Sequence, residues 1–169
     1  MMCITTPSKH TISFSKAVLL MVLAIVLPCV IFQGVLMLMY VPSDSMAPTM
    51  ANGDCLIGCR LAPDPQRGDI VVFQAEALMI KRVVGLPGEE VLISPNGKVY
   101  IDKVLLEEPY VVYQREGQEQ TFQIPDGCFL LLGDNRQHSY DARYWDDPYI
   151  PREKIIAVAK YKIGGGCLE

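Results

Sequence analysis

Three clusters of side chains in this 169-residue chain are suited to acyl transfer. They are Pro42-Ser43-Asp44-Ser45-Met46-Ala47-Pro48-Thr49, then Lys81-Arg82-Val83-Val84-Gly85-Leu86-Pro87-Gly88-Glu89, then Gly133-Asp134-Asn135-Arg136-Gln137-His138-Ser139-Tyr140-Asp141-Ala142-Arg143. A serine hydroxyl such as that of Ser45 is a weak nucleophile until a neighbouring base takes its proton. Lys81 can be that base. On a strand it shares a face with Met79 and Val83, while Arg82 turns the other way with Ile80 and Val84. Burial on an apolar face disfavours the ammonium and lowers its pKa by up to about 3–5 units. From a reference near 10.4, about one lysine in a few thousand is neutral at pH 7, against roughly one in ten when the pKa is near 8. A neutral amine accepts the serine proton and later hands it to the leaving amine.

Ser139 can hydrogen-bond the lysine amine and fix its direction, as the third member of a triad orients its base. Asp134, Arg136, Asp141 and Arg143 are expected to form ion pairs that hold the Gly-Asp-Asn turn. Taken singly, each cluster has a plainer explanation. A serine often caps a turn, a lysine on an apolar strand usually reaches back to water, and Gly-Asp-Asn is an ordinary turn tripeptide. Their joint occurrence behind an apolar segment favours the catalytic explanation. A competing base for Ser45 is His138, backed by Asp134 or Asp141.

The elements that must position these groups follow from the apolar pattern. Ala17 to Ser43 carries no charged residue, enough to cross a hydrocarbon core of about 30 Å. The expected organisation is a short cytoplasmic N-terminus (1–16), a transmembrane helix (17–40), an extracytoplasmic β domain (41–163) and a flexible tail (164–169). Pro28 can kink the helix without stopping it. A cleaved signal peptide is the lesser alternative, because the apolar stretch exceeds the usual length of about 7–15 residues. Lys9 and Lys16 precede the span while Asp44 and Asp54 follow it, which puts the N-terminus on the cytoplasmic side. Beyond it, short runs rich in β-branched residues predict strands at 69–73, 80–84, 99–106 and 128–132. Turn signals separate them, with Asn96-Gly97 suited to a type I′ hairpin. The fold class is mostly β, an antiparallel sheet domain behind one helix.

A formal net charge of -4 without runs of like charge excludes a nucleic-acid partner. No cofactor and no metal are called for, since no histidine pair accompanies the cysteines. Cys55 and Cys59 on one straight strand would lie about 13 Å apart at ~3.3 Å per residue, too far for a bridge. With Cys128 and Cys167 they are expected as small apolar side chains, a bridge through Cys55 or Cys128 being the alternative.

In these motifs the sequence resembles the type I signal peptidases. The Ser-Met-x-Pro-Thr box matches Ser45 to Thr49, Gly-Asp-(Ile/Val)-Val matches Gly68 to Val71, Lys-Arg-Val-x-Gly-x-Pro-Gly-Glu matches Lys81 to Glu89, and Gly-Asp-Asn-Arg-x-x-Ser-x-Asp-x-Arg matches Gly133 to Arg143. The likeness spans roughly residues 17–160. It implies Ser45 as acylated nucleophile, Lys81 as general base and Ser139 as the hydroxyl that positions it. It also implies an oxyanion hole of the Ser45 N–H and the Ser43 hydroxyl. Val41, Pro42, Met46 and Ile80 would border shallow pockets for the first and third residues before the cut. The chain departs from the family pattern at Asp44, Ala142, Asp146-Asp147 and Ile156 to Ala159.

The implied activity is removal of signal peptides after small-x-small sites on the outer face of the plasma membrane. The partners are exported preproteins, the lipid bilayer and the translocation machinery. A dedicated maturation peptidase of a conjugative or pilus system shares this chemistry. An inactive, membrane-tethered peptide-binding domain is the reading from another class, and loss of Ser45 or Lys81 would be its mark.

Overall fold

The computed structural model describes residues 13–61, 64–163 and 166–167. It begins with helix α1, Phe14–Gly34, whose described side chains are exposed along its whole length. Its 21 residues rise about 30 Å, the thickness of a bilayer core. The stretch Phe14–Phe32 has a mean hydropathy of 2.5, long and apolar enough to cross a membrane.

The helix is shorter than the 17–40 span expected from the sequence. It ends at Gly34, and Leu36–Tyr40 forms strand β1, paired antiparallel with β2, Cys55–Cys59. Apolar content alone cannot mark that end, because lipid-facing helix and half-buried strand are both rich in Leu and Met. What separates them is a partner strand further along the chain, Tyr40 standing opposite Cys55, 15 residues on.

The remaining strands are β3, Ile70–Gln74; β4, Leu78–Gly85; β5, Glu90–Ile93; β6, Val99–Ile101; β7, Val104–Leu105; β8, Gln120–Gln123; β9, Cys128–Leu132; β10, Tyr149–Pro151; β11, Ile155–Ile163; and β12, Gly166–Cys167. Pairing is antiparallel throughout. One sheet runs β1-β2-β11-β3-β4-β9-β10 with β12 on β11, and a smaller one runs β7-β6-β5-β8. The expected antiparallel β class is the observed one.

Two local expectations change. The run 99–106 is broken at Asp102 and Lys103, both at positive φ (48° and 71°), which makes this the two-residue turn with left-handed central positions that type I′ demands. At Asn96-Gly97 only the glycine has positive φ, so that turn is not type I′. In the tail expected to be flexible, Gly166 and Cys167 pair with Lys162 and Tyr161. Cys55, Cys59 and Cys128 are half-buried free thiols, as fits the small-apolar expectation rather than a bridge.

Strand alternation sorts the core. Ile80 packs with Val41, Met46, Leu56, Ile70 and Val72, while Met79 and Val83 lie against Val71, Phe73 and Leu131. Val84 reaches a third cluster shared with the small sheet, around Val91 and Leu130. At Gly85 a Cβ would stand 2.2 Å from Ile124 and 2.7 Å from Val91, so the crossing of the two sheets requires glycine there.

Candidate active site

Ser45 lies in the loop between β1 and β2, and several bonds hold that loop. Val41 N–H donates to Asp54 O at 2.8 Å, and Gly53 N–H returns to Val41 O at 3.0 Å. Met46 and Met50 anchor it by burial. Asp44, a departure from the family pattern, accepts the Asn52 N–H at 2.8 Å and so closes the same loop. From the opposite side Asn135 clamps the serine: its N–H donates to Ser45 O at 3.0 Å and its Nδ2 to Asp44 O at 3.1 Å.

β4 carries Lys81 in register with Val71 of β3. Its side chain is 3% exposed, and its Nζ lies 2.8 Å from Ser45 Oγ, which is itself buried. Desolvation pushes the Lys81 pKa down to about 8, against the attraction of the Asp141 carboxylate. Ser43 Oγ donates to Ser45 Oγ at 3.3 Å. His138 is on the surface, and the side-chain bonds of Ser45 go to Lys81 and Ser43.

Ser139 is brought to the site without being joined to Lys81. Its Oγ is buried and has no hydrogen-bond partner. It crowds the Cα of Gly133, where a Cβ would come within 2.1 Å of Ser139 Oγ and 2.6 Å of Ser45 O. Glycine at 133 therefore permits the close approach of the two serine segments.

The four charged residues of the third cluster take different partners. Arg143 holds Asp141 through two bonds of 2.8 and 2.9 Å, and Gly133 N–H adds a third at 3.0 Å. Burial works against the Asp141 charge, but Arg143 and that N–H hold its carboxyl below the ordinary range. Asp134 pairs instead with Arg82, at 2.8 and 2.6 Å, and accepts the Thr49 hydroxyl at 2.6 Å. Arg136 donates to Gly133 O at 3.0 Å and pairs with Glu108. Glu108 also accepts the Tyr110 hydroxyl at 2.9 Å, and the Tyr110 ring lies 3.9 Å from the Arg82 guanidinium carbon. Burial and the Glu108 carboxylate push the Tyr110 phenol well above its ordinary value.

Arg82, Thr49, Glu108 and Tyr110 were not among the expected site residues. Arg82 left a signal, since an arginine inside an apolar strand needs a carboxylate. Glu108 and Tyr110 sit in an irregular segment after β7 and left none. Of the expected pocket residues, Val41, Pro42 and Ile80 border a small cleft of about 80 Å3 beside Ser43. Met46 lies beneath it, in the buried cluster that contains Val41 and Ile80.

A serine hydroxyl pressed against a buried amine, on a β domain carried by one apolar helix, belongs to the class of membrane-associated serine peptidases. The family described as signal peptidase, peptidase S26, matches residues 14–163, and the chain belongs to that family. The chain is 40% identical over 151 residues to a protein of Synechocystis sp. named probable signal peptidase I-2, covering 82% of this chain and 68% of that one. It is 42% identical over 134 residues to the signal peptidase I of Leptolyngbya laminosa, covering 71% and 64%. A crystal structure of a signal peptidase I from Enterococcus faecalis superposes with a TM-score of 0.50 at 31% identity, over 57% of this chain and 97% of that one.

Proposed function

We propose that this chain removes signal peptides from exported preproteins through a Ser45–Lys81 dyad, cutting after small-x-small sites. The observation that carries the reading is the 2.8 Å contact of Lys81 Nζ with Ser45 Oγ at a buried position. With its pKa near 8, about one Lys81 in ten is neutral at pH 7. In that form its lone pair accepts the Ser45 proton as Oγ bonds to the scissile carbonyl carbon. The resulting oxyanion is held by the Ser45 N–H and the Ser43 hydroxyl. Collapse breaks the C–N bond, the Lys81 ammonium protonates the leaving amine, and an ester remains on Ser45. Water, deprotonated by the same amine, then releases the acid.

Ser139 orients Lys81 by turning its unpartnered hydroxyl toward the amine. The cleft bordered by Val41, Pro42 and Ile80, above Met46, accepts the small first and third side chains before the cut. Helix α1 tethers the domain to the plasma membrane with the N-terminus cytoplasmic, so that Ser45, eleven positions after Gly34, works at the outer surface. The translocation machinery is the partner that delivers preproteins there.

The test is cleavage of an Ala-x-Ala preprotein by the detergent-solubilised full chain beside Ser45→Ala and Lys81→Met, each checked for folding. Cutting after the last Ala by the wild type alone is the expected outcome. Comparable cleavage by Lys81→Met would overturn the dyad.

A further inference from the structure

The first half of β4 has an open edge. β3 pairs with Leu78 to Arg82 on one side, whereas β9 pairs only with Arg82, Val83 and Gly85 on the other. Leu78 to Lys81 thus offers backbone groups to an added strand, and the cleft beside Ser43 runs along this edge. Side chains of an extended peptide alternate. If the first and third before the cut enter the cleft on the Ile80 side, the second turns to the Met79 side.

On that side lies a larger groove of about 510 Å3, and Met79 borders both it and the cleft. Its walls are aromatic: Tyr140 and Trp145, ring centroids 6.5 Å apart, with Tyr149 beyond. Its charged lining is Glu76, Asp146 and Asp147 against Lys154 alone. None of the three carboxylates is in an ion pair among the described residues, and Asp147 accepts only the backbone N–H of Tyr149.

We propose that this groove selects preproteins with a basic side chain at the second position before the cut, its stem lying on Tyr140 and Trp145 and its cationic head among Asp146, Asp147 and Glu76. An aromatic face beside unpaired carboxylates favours a cation and penalises an anion. The inference rests on the proposed peptidase activity.

The experiment measures kcat/KM of the full chain in detergent on one preprotein carrying Ala-Lys-Ala, Ala-Gln-Ala or Ala-Glu-Ala. Lys is expected to exceed Glu by about ten-fold, the size of one cation–π contact together with one exposed ion pair, with Gln between. In Asp146→Asn/Asp147→Asn the Lys-to-Glu ratio is expected to fall toward one, and in Asp146→Lys/Asp147→Lys to invert. Because the readout is a ratio within each variant, a general loss of activity does not alter it. Cleavage of all three at equal rates, or an unchanged ratio in both variants, overturns the groove and leaves the peptidase reading intact. No cleavage of any of them overturns both.

Discussion

Lys81 Nζ stands 2.8 Å from Ser45 Oγ with the lysine side chain 3% exposed. The opposite charge that acts on it most strongly, Asp141, is already engaged by Arg143. The ammonium is therefore poorly compensated where it lies, and the strain of keeping it there is the same property that makes the amine a base near neutral pH.

The rate should follow that titration. Only neutral Lys81 can take the serine proton, so kcat/KM is expected to rise with pH and reach half its plateau near pH 8, the value to which burial lowers this lysine. A pH series on one preprotein checks this. A profile already flat from pH 6 upward would rule out Lys81 as the titrating base.

The same lysine should cost stability. In the unfolded chain it titrates near 10.5 and in the fold near 8. Between these values the unfolded state binds more protons, so folding stability rises with pH across this window and is lowest below it. The gap corresponds to roughly 3 kcal/mol at pH 7. Lys81→Met is accordingly expected to be inactive yet more stable at pH 7, by up to about 3 kcal/mol, with the advantage gone by about pH 10.5. Denaturant unfolding of both proteins at pH 7 and 10.5 decides it; equal midpoints at pH 7 would show that the ammonium is not penalised.

Ser139→Ala separates structure from chemistry. The hydroxyl it removes is buried without a partner at hydrogen-bond geometry, yet it helps to hold the Asp141 carboxyl below its ordinary range. The two effects oppose each other, and stability is expected to change by no more than about 1 kcal/mol. If that hydroxyl turns to orient Lys81 during catalysis, kcat should fall by at least about ten-fold with KM little changed. Unaltered kcat would remove Ser139 from the mechanism.

The sequence made the Ser45–Lys81 pair legible because both members lie in local motifs that occur together, although each residue alone has a plainer explanation. Alternation on one strand was enough to anticipate that Lys81 shares a side with Met79 and Val83. What stayed hidden depended on pairing across distance. The end of α1 at Gly34 is set by the bonds of β1 to β2, which no local pattern announces. The hairpin turn at Asp102-Lys103 lacks glycine, the usual mark of left-handed backbone, and so read as strand. Likewise the partners of Arg82 and Arg136 lie 52 and 28 positions away, beyond anything spacing could suggest.

The Arg82–Asp134 pair is where such a distant contact should matter most. Both side chains are almost fully buried, Asp134 also accepts the Thr49 hydroxyl four residues after Ser45, and Tyr110 covers the guanidinium. Removing one charge leaves the other stranded, so Asp134→Ala is expected to cost about 3–5 kcal/mol. Tyr110→Phe keeps the ring over Arg82 and gives up only the bond to Glu108, a loss of about 1–3 kcal/mol because that bond is to a charged group. Tyr110→Ala also uncovers Arg82 and should cost more than Phe. Because Lys81 and Arg82 are adjacent on β4, Asp134→Ala should lower kcat as well, with the half-plateau of the pH profile displaced from 8. Unfolding midpoints for the three variants, with the pH profile of any that stays folded, test the ranking; an Asp134→Ala protein as stable as the wild type would mean that the pair contributes nothing to the fold.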